Sequence, residues 1–306
     1  MIEPERDLTN PGGKTALTAI FKNNIPERNE SMTKQNRYLM FGAHPDDCDI
    51  KFGGTAARLI RAGHLVKFVS VCNGDCGHHV ISGEELARRR YGETQAVKET
   101  AGLYEYDVML ENHDCELMPT VENRKKVIRI IREFKPDVVL GHRLCDYHAD
   151  HRAAAQLVQD AAYLTQVPAF CPDAPIPEVN PVFGCVWDAF TDPRPIRPDA
   201  AVIIDDVLDE KCRMLDCHVS QVYEFLSWEI SKKEFDTSAS WEEKKAYLLF
   251  NWGKRFKQAA DDNRAALIEI FGEEVGRAAE YAEFFEYSPY GRKISLSEFR
   301  DLMLGR

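Results

Sequence analysis

Two short polar clusters hold the residue types of metal-assisted hydrolysis: Ala43-His44-Pro45-Asp46-Asp47 and His148-Ala149-Asp150-His151. Two imidazoles and a carboxylate can hold Zn2+ and leave one position open for water, which is the catalytic arrangement. Bound zinc brings that water towards neutrality in pKa and polarises a carbonyl. A further carboxylate beside the metal serves as general base, and a non-ligand His steadies the developing oxyanion. The two clusters fill these roles with one orienting carboxylate left over. The same donors accept Fe2+, Co2+ or Mn2+ as well as Zn2+. Each cluster alone has a bland reading, since Asp caps helices and Pro stiffens their entry. Their joint placement is what carries weight.

Placement follows from the elements around them. Tyr38–Ala43 (YLMFGA) reads as a buried strand, 53–62 as a helix stopped by Gly63, and Leu65–Cys72 as a second strand. Ser82 and Glu85 suggest a capping box opening the next helix. Asp107–Leu110 is a short third strand. A helix from Thr120 to Pro136 shows Val127, Ile130, Ile131 and Phe134 on one face. Asp137–Gly141 is a fourth strand, and a helix follows from His151. Strands alternating with helices of this length imply crossovers and a parallel sheet in the order 3-2-1-4. In that order strands one and four are neighbours, so the two clusters face one crevice at their carboxyl ends. Further strands are expected at Val182–Phe190 and Ala201–Ile204, with helices over 206–230, 241–260 and 263–284. The fold class is a Rossmann-like, three-layer α/β fold with a mostly parallel sheet, extra strands and a helical C-terminal extension. No GxGxxG follows the first strand, which argues against a dinucleotide site.

At these residues the chain resembles the LmbE-like, or PIG-L, zinc-dependent N-deacetylases, whose hallmarks are AHPDD after the first strand and HxDH after a later one. Arg90 with Glu93, Asp114 with Leu117, Lys135-Pro136-Asp137-Val138-Val139 and His218-Val219-Ser220-Gln221 echo further family elements. The resemblance spans roughly residues 37–225. It implies that His44, Asp47 and His151 are metal ligands and that Asp46 is the base taking a proton from zinc-bound water. It also implies that His148 stabilises the oxyanion and serves the leaving amine, that Asp150 orients a neighbouring imidazole, and that Arg90 and Asp114 contact sugar hydroxyls. The implied activity is hydrolysis of an N-acetyl group on an amino sugar or sugar conjugate. An amidase of a larger acyl or thiol-sugar conjugate and a non-catalytic metal- or sugar-binding module are the rivals. Where relatives carry Pro, this chain has Ala149, and the loop after strand two reads CNGDCGHH; His78 and His79 have no role that the resemblance supplies.

The remaining composition sets limits. Net charge −11 argues against a nucleic-acid partner, and no apolar run reaches the roughly 20 residues of a membrane span. Nine cysteines without framework spacing fit reduced thiols and a cytoplasmic location; Cys72 and Cys76 read as small buried hydrophobes. The expected partner is a small N-acylated, sugar-like molecule, and a homo-oligomer is open. The domain reading is a polar arm over 1–35, a deacetylase domain over 36–290 (catalytic core 36–225, helical cap 226–290) and a tail over 291–306. The aromatic-rich later region could shape a substrate pocket, since sugars favour aromatic faces, but helical spacing alone explains it as part of that cap, packed on the core.

Overall fold

A computed structural model describes residues 34–306; nearly all of the expected arm lies outside them. Among the described residues, seven strands form one sheet in the order β3-β2-β1-β4-β5-β7-β6. They are β1 (Arg37–Gly42), β2 (Leu65–Ser70), β3 (Glu105–Val108), β4 (Val138–Gly141), β5 (Val182–Val186), β6 (Ala200–Ile203) and β7 (Ala282–Ser288). The first five pair in parallel, and β7 runs antiparallel to both β5 and β6. The expected 3-2-1-4 block is therefore present.

Alternate side chains of β1 leave on opposite faces, and each face is covered. Tyr38 and Met40 join the core beneath α1 (Asp47–Arg61) and α2 (Gly83–Ala101). Leu39 and Phe41 join the core beneath α3 (Val121–Phe134) and α4 (Ala149–Leu164). Beyond β6 come α5 (Leu208–Cys217), a π-helical turn at Ser220–Phe225, α6 (Leu226–Ser231), α7 (Trp241–Leu248), a second π-helical turn at Leu249–Gly253, α8 (Lys254–Asp262), α9 (Arg264–Phe271) and α10 (Glu273–Ala278). The helical extension thus stands as expected.

Several boundaries differ for physical reasons. Helix α1 starts at Asp47 rather than at residue 53, so Gly53 and Gly54 lie in its middle rather than at its start. An added Cβ at Gly54 would stand 2.7 Å from Ile204 Cγ2, so glycine lets the helix press onto the end of β6. Ser82 occupies the N-cap of α2 without a side-chain capping bond. Residues 282–284, expected at the end of a helix, belong to β7, and the expected tail 291–306 holds α11 (Leu296–Met303). Ser295 and Glu298 form a reciprocal capping box there, and Phe299 and Met303 are buried in the sheet's core.

Candidate active site

The two clusters meet. The turn after β1 places His44, Asp46 and Asp47, with Asp47 opening α1, while His148 is the N-cap of α4. His44 donates its backbone N–H to Asp47 Oδ2 at 2.8 Å. Its Nδ1 lies 3.6 Å from that oxygen, and His151 Nε2 lies 3.5 Å from it. The rings of His44 and His151 are 5.3 Å apart. The other face of His44 is fixed by Nε2 against Asp150 Oδ2 at 3.0 Å. Asp150 is fully buried and also accepts the N–H groups of Cys115 and Leu117 at 2.6 and 3.3 Å. Asp150 therefore orients His44, as a carboxylate behind a ligand would.

His148 spends Nδ1 on its own helix, accepting the Asp150 N–H at 3.2 Å. In the neutral ring the proton then sits on Nε2. Burial, with His44 and His151 as cationic neighbours, pushes the His148 pKa down, favouring that neutral form. Asp46 is pushed up by burial, which outweighs the opposing Arg90, and this makes it a stronger base than an ordinary carboxylate. Arg90 Nη2 lies 3.3 Å from Asp46 and Nη1 3.5 Å from Asp114. Asp114 Oδ1 accepts the Gly74 N–H at 2.9 Å. Arg90 is buried, and its Nε and Nη2 have no hydrogen-bond partner among the described residues. Of its neighbours, Arg89 pairs with Glu224 and Arg88 with Glu84, so one arginine of the three faces the site.

Two residues that the motifs did not single out belong to the cluster. His142, directly after β4, stacks on His151 at 4.2 Å and puts Nε2 3.3 Å from Asp47 Oδ2. Asp146 Oδ2 lies 3.1 Å from His151 Nδ1. Both sit in the loop between the fourth strand and HxDH; that position already suggests that His142 lines the cleft, and it is the signal that could have found Asp146.

The donors suit a divalent cation. Ligand atoms of His44, His148 and His151 lie within 4.8 Å of one another, as do those of Asp47, His142 and His151. Without an ion, protonated imidazoles must balance the carboxylates. Burial opposes protonation of His44, yet Asp150 and Asp47 carry its pKa up to about 10. Such a niche calls for positive charge, and His/Asp donors match zinc. His142 is the weaker ligand of the rival set, because the Ala43 N–H already points at its Nε2 from 3.2 Å.

The remaining expectations divide. Glu93 accepts both the N–H and the hydroxyl of Ser220 at 2.8 and 2.7 Å, joining two of the minor family elements. His218 is buried against Asp49 at 2.9 Å. His78 contacts Glu224, and His79 contacts Glu234 and stacks on Trp228, so this loop is clamped to the late helices. Cys72 is buried as expected, but Cys76 is exposed beside the site.

The sheet, its two helical layers and the converging imidazoles and carboxylates define a Rossmann-like α/β protein with a site fit for metal-assisted hydrolysis. The chain belongs to the PIG-L (GlcNAc-PI de-N-acetylase) family, whose model matches residues 39–162. It is 31% identical to diacetylchitobiose deacetylase of Thermococcus kodakarensis over 234 residues, covering 74% of this chain and 85% of that protein. It is 27% identical to 1D-myo-inositol 2-acetamido-2-deoxy-alpha-D-glucopyranoside deacetylase of Geodermatophilus obscurus, covering 46% of this chain and 58% of that one. In fold it is similar to N,N'-diacetylchitobiose deacetylase of Pyrococcus horikoshii, with TM-score 0.65, 20% identity, and coverage of 93% and 96%. No helix among the described residues is long and apolar enough to cross a membrane.

Proposed function

We propose that the protein hydrolyses the N-acetyl bond of a small amino sugar or sugar conjugate, with His44, Asp47 and His151 holding zinc. The observation that carries this reading is the approach of His44 Nδ1 and His151 Nε2 to one Asp47 oxygen, at 3.6 and 3.5 Å, with Asp46 and His148 lining the same cavity. When bound, zinc supplies a Lewis acid that polarises the amide carbonyl and acidifies water. Asp46 takes the proton of the attacking water, its basicity raised by burial. His148 donates Nε2–H to the oxyanion of the tetrahedral intermediate. Because the neutral ring is favoured, the proton gained by Asp46 is the one that passes to the leaving amine. Asp150 keeps the His44 ring in place, and Arg90 with Asp114 offers donors and acceptors to sugar hydroxyls.

The test is acetate release from N-acetylglucosamine and its β-linked disaccharide, with and without chelator. Asp46→Ala should retain metal by elemental analysis and lose activity by about 10²–10⁴-fold, whereas His44→Ala should lose the metal itself. Near-normal turnover in Asp46→Ala rejects the base assignment. No acetate from any N-acetylated sugar rejects the reading.

A further inference from the structure

Of the nine cysteines, two are exposed, Cys76 and Cys115. Both line the catalytic cavity together with His44, Asp46 and Arg90. They stand on two loops, 73–76 and 112–115, that are laced to each other. Asn73 donates its N–H to Asn112 O at 2.8 Å, Gly74 to Asp114 Oδ1 at 2.9 Å, and Asp114 to Asp75 Oδ1 at 3.0 Å. This lacing sets the side chains of Cys76 and Cys115 within hydrogen-bonding reach of one another. The backbone of each also meets a carboxylate of the site. The Cys115 N–H donates to Asp150 Oδ2 at 2.6 Å, and the Cys76 N–H lies 3.5 Å from Asp114 Oδ2. Neither thiol has a part in the hydrolysis derived above.

Two thiols in contact on a solvent-reached wall can be joined, because a disulfide needs side chains that already approach. We propose that Cys76 and Cys115 form a reversible disulfide on the cavity wall, and that this bond loosens the hold of the site on its metal. The step is exchange with a small disulfide such as oxidised glutathione. One cysteine, its proton given to water, attacks that molecule; the small S–S bond breaks and one small thiolate leaves. The second cysteine, likewise deprotonated, attacks the mixed disulfide; the Cys76–Cys115 bond forms and the second small thiolate leaves. The protein loses two electrons, and the small disulfide gains them and takes up the two protons as two thiols. The joined sulfurs stand about 2.05 Å apart, closer than two thiols can, so the loops must draw together. Cys115 carries its N–H with it, and Asp150, which fixes His44 at 3.0 Å, loses its anchor. Disturbing such a carboxylate behind a ligand weakens metal binding by about 10–100-fold. The bond itself is independent of the deacetylase reading; its effect rests on the metal set named there.

The test treats the full chain with oxidised glutathione, removes the excess, and reads two quantities. Peptide mass spectrometry without reductant should find the segments around residues 76 and 115 linked, with two hydrogens lost. Zinc affinity, by competition with a chromophoric chelator, should fall about tenfold or more and return with dithiothreitol. The double variant Cys76→Ser/Cys115→Ser should keep the affinity of the reduced parent before and after oxidation. Unlinked peptides, or glutathione held separately on each cysteine, overturn the proposal. A linked pair with unchanged zinc affinity overturns it as well. Weaker zinc binding by the untreated double variant would make the thiols ligands themselves, and that too overturns it. A reduced parent that binds no zinc refutes the metal set instead, and with it the effect assigned to the bond; acetate release by the reduced chain reports separately on the deacetylase reading.

Discussion

One nitrogen of His148 is committed to the backbone of α4, which leaves the other free to face the cavity. A fixed tautomer of this kind is worth most when charge appears on a substrate oxygen. His148→Ala should therefore lower kcat by about 10²–10³-fold with little change in metal content, measured by steady-state kinetics beside elemental analysis; loss of metal would make His148 a ligand instead. Asp150 acts one bond further out. Asp150→Asn removes the charge behind His44 and should weaken metal affinity about 10–100-fold, read by competition with a chromophoric chelator. Unchanged affinity would detach Asp150 from the metal. At this scale the sequence was informative where residue types cluster, as in the Asp46-Asp47 pair. It was silent where a residue's value depends on a neighbour's ring: His142 matters because it stacks on His151, and nothing in GHRLCD announces a stack.

At the scale of elements, the loop after β2 shows why some histidines resisted assignment. His78 and Arg89 both hold Glu224 of the π-helical turn, bringing the loop and α2 to the late helices beside the cavity. Burial tends to raise the Glu224 pKa, but Arg89 and His78 hold it below the usual range. Its folded value is therefore depressed. The stabilisation is complete above the unfolded value near 4.3 and disappears as pH falls through the folded one. Glu224→Gln should be less stable than the parent at pH 7 and lose less further stability between about pH 5 and pH 3, followed as Tm against pH. Parallel curves would show that the clamp contributes nothing. The early strands were legible because apolar runs alternate with helical periods. Strand β7 was not, because AEFFEYS follows directly on the helix-forming GRAAEY, and its first five residues are all buried, so the period-two pattern is absent.

For the molecule as a whole, the C-terminal segment is part of the core. Phe299 is fully buried, its ring lies against the Gly184 position of β5, and Tyr38 of β1 donates its hydroxyl to Leu302 O at 2.6 Å. Phe299→Ala should cost about 3–5 kcal/mol, measured by urea unfolding; a cost below about 1 kcal/mol would return the segment to a dispensable tail. Its amphipathic run was short enough to pass for a tail, since only the packed sheet shows which face it covers. The antiparallel insertion of β7 between β5 and β6 has a consequence for biosynthesis. Until residue 288 has left the ribosome, β5 stands as an unpaired margin and β6 has no partner strand at all. At ordinary translation speeds the delay after β5 emerges is about 5–20 s. For that interval the nascent chain presents a sticky hydrogen-bonding border, and the sheet is sealed only when β7 follows β5 and β6 out of the ribosome.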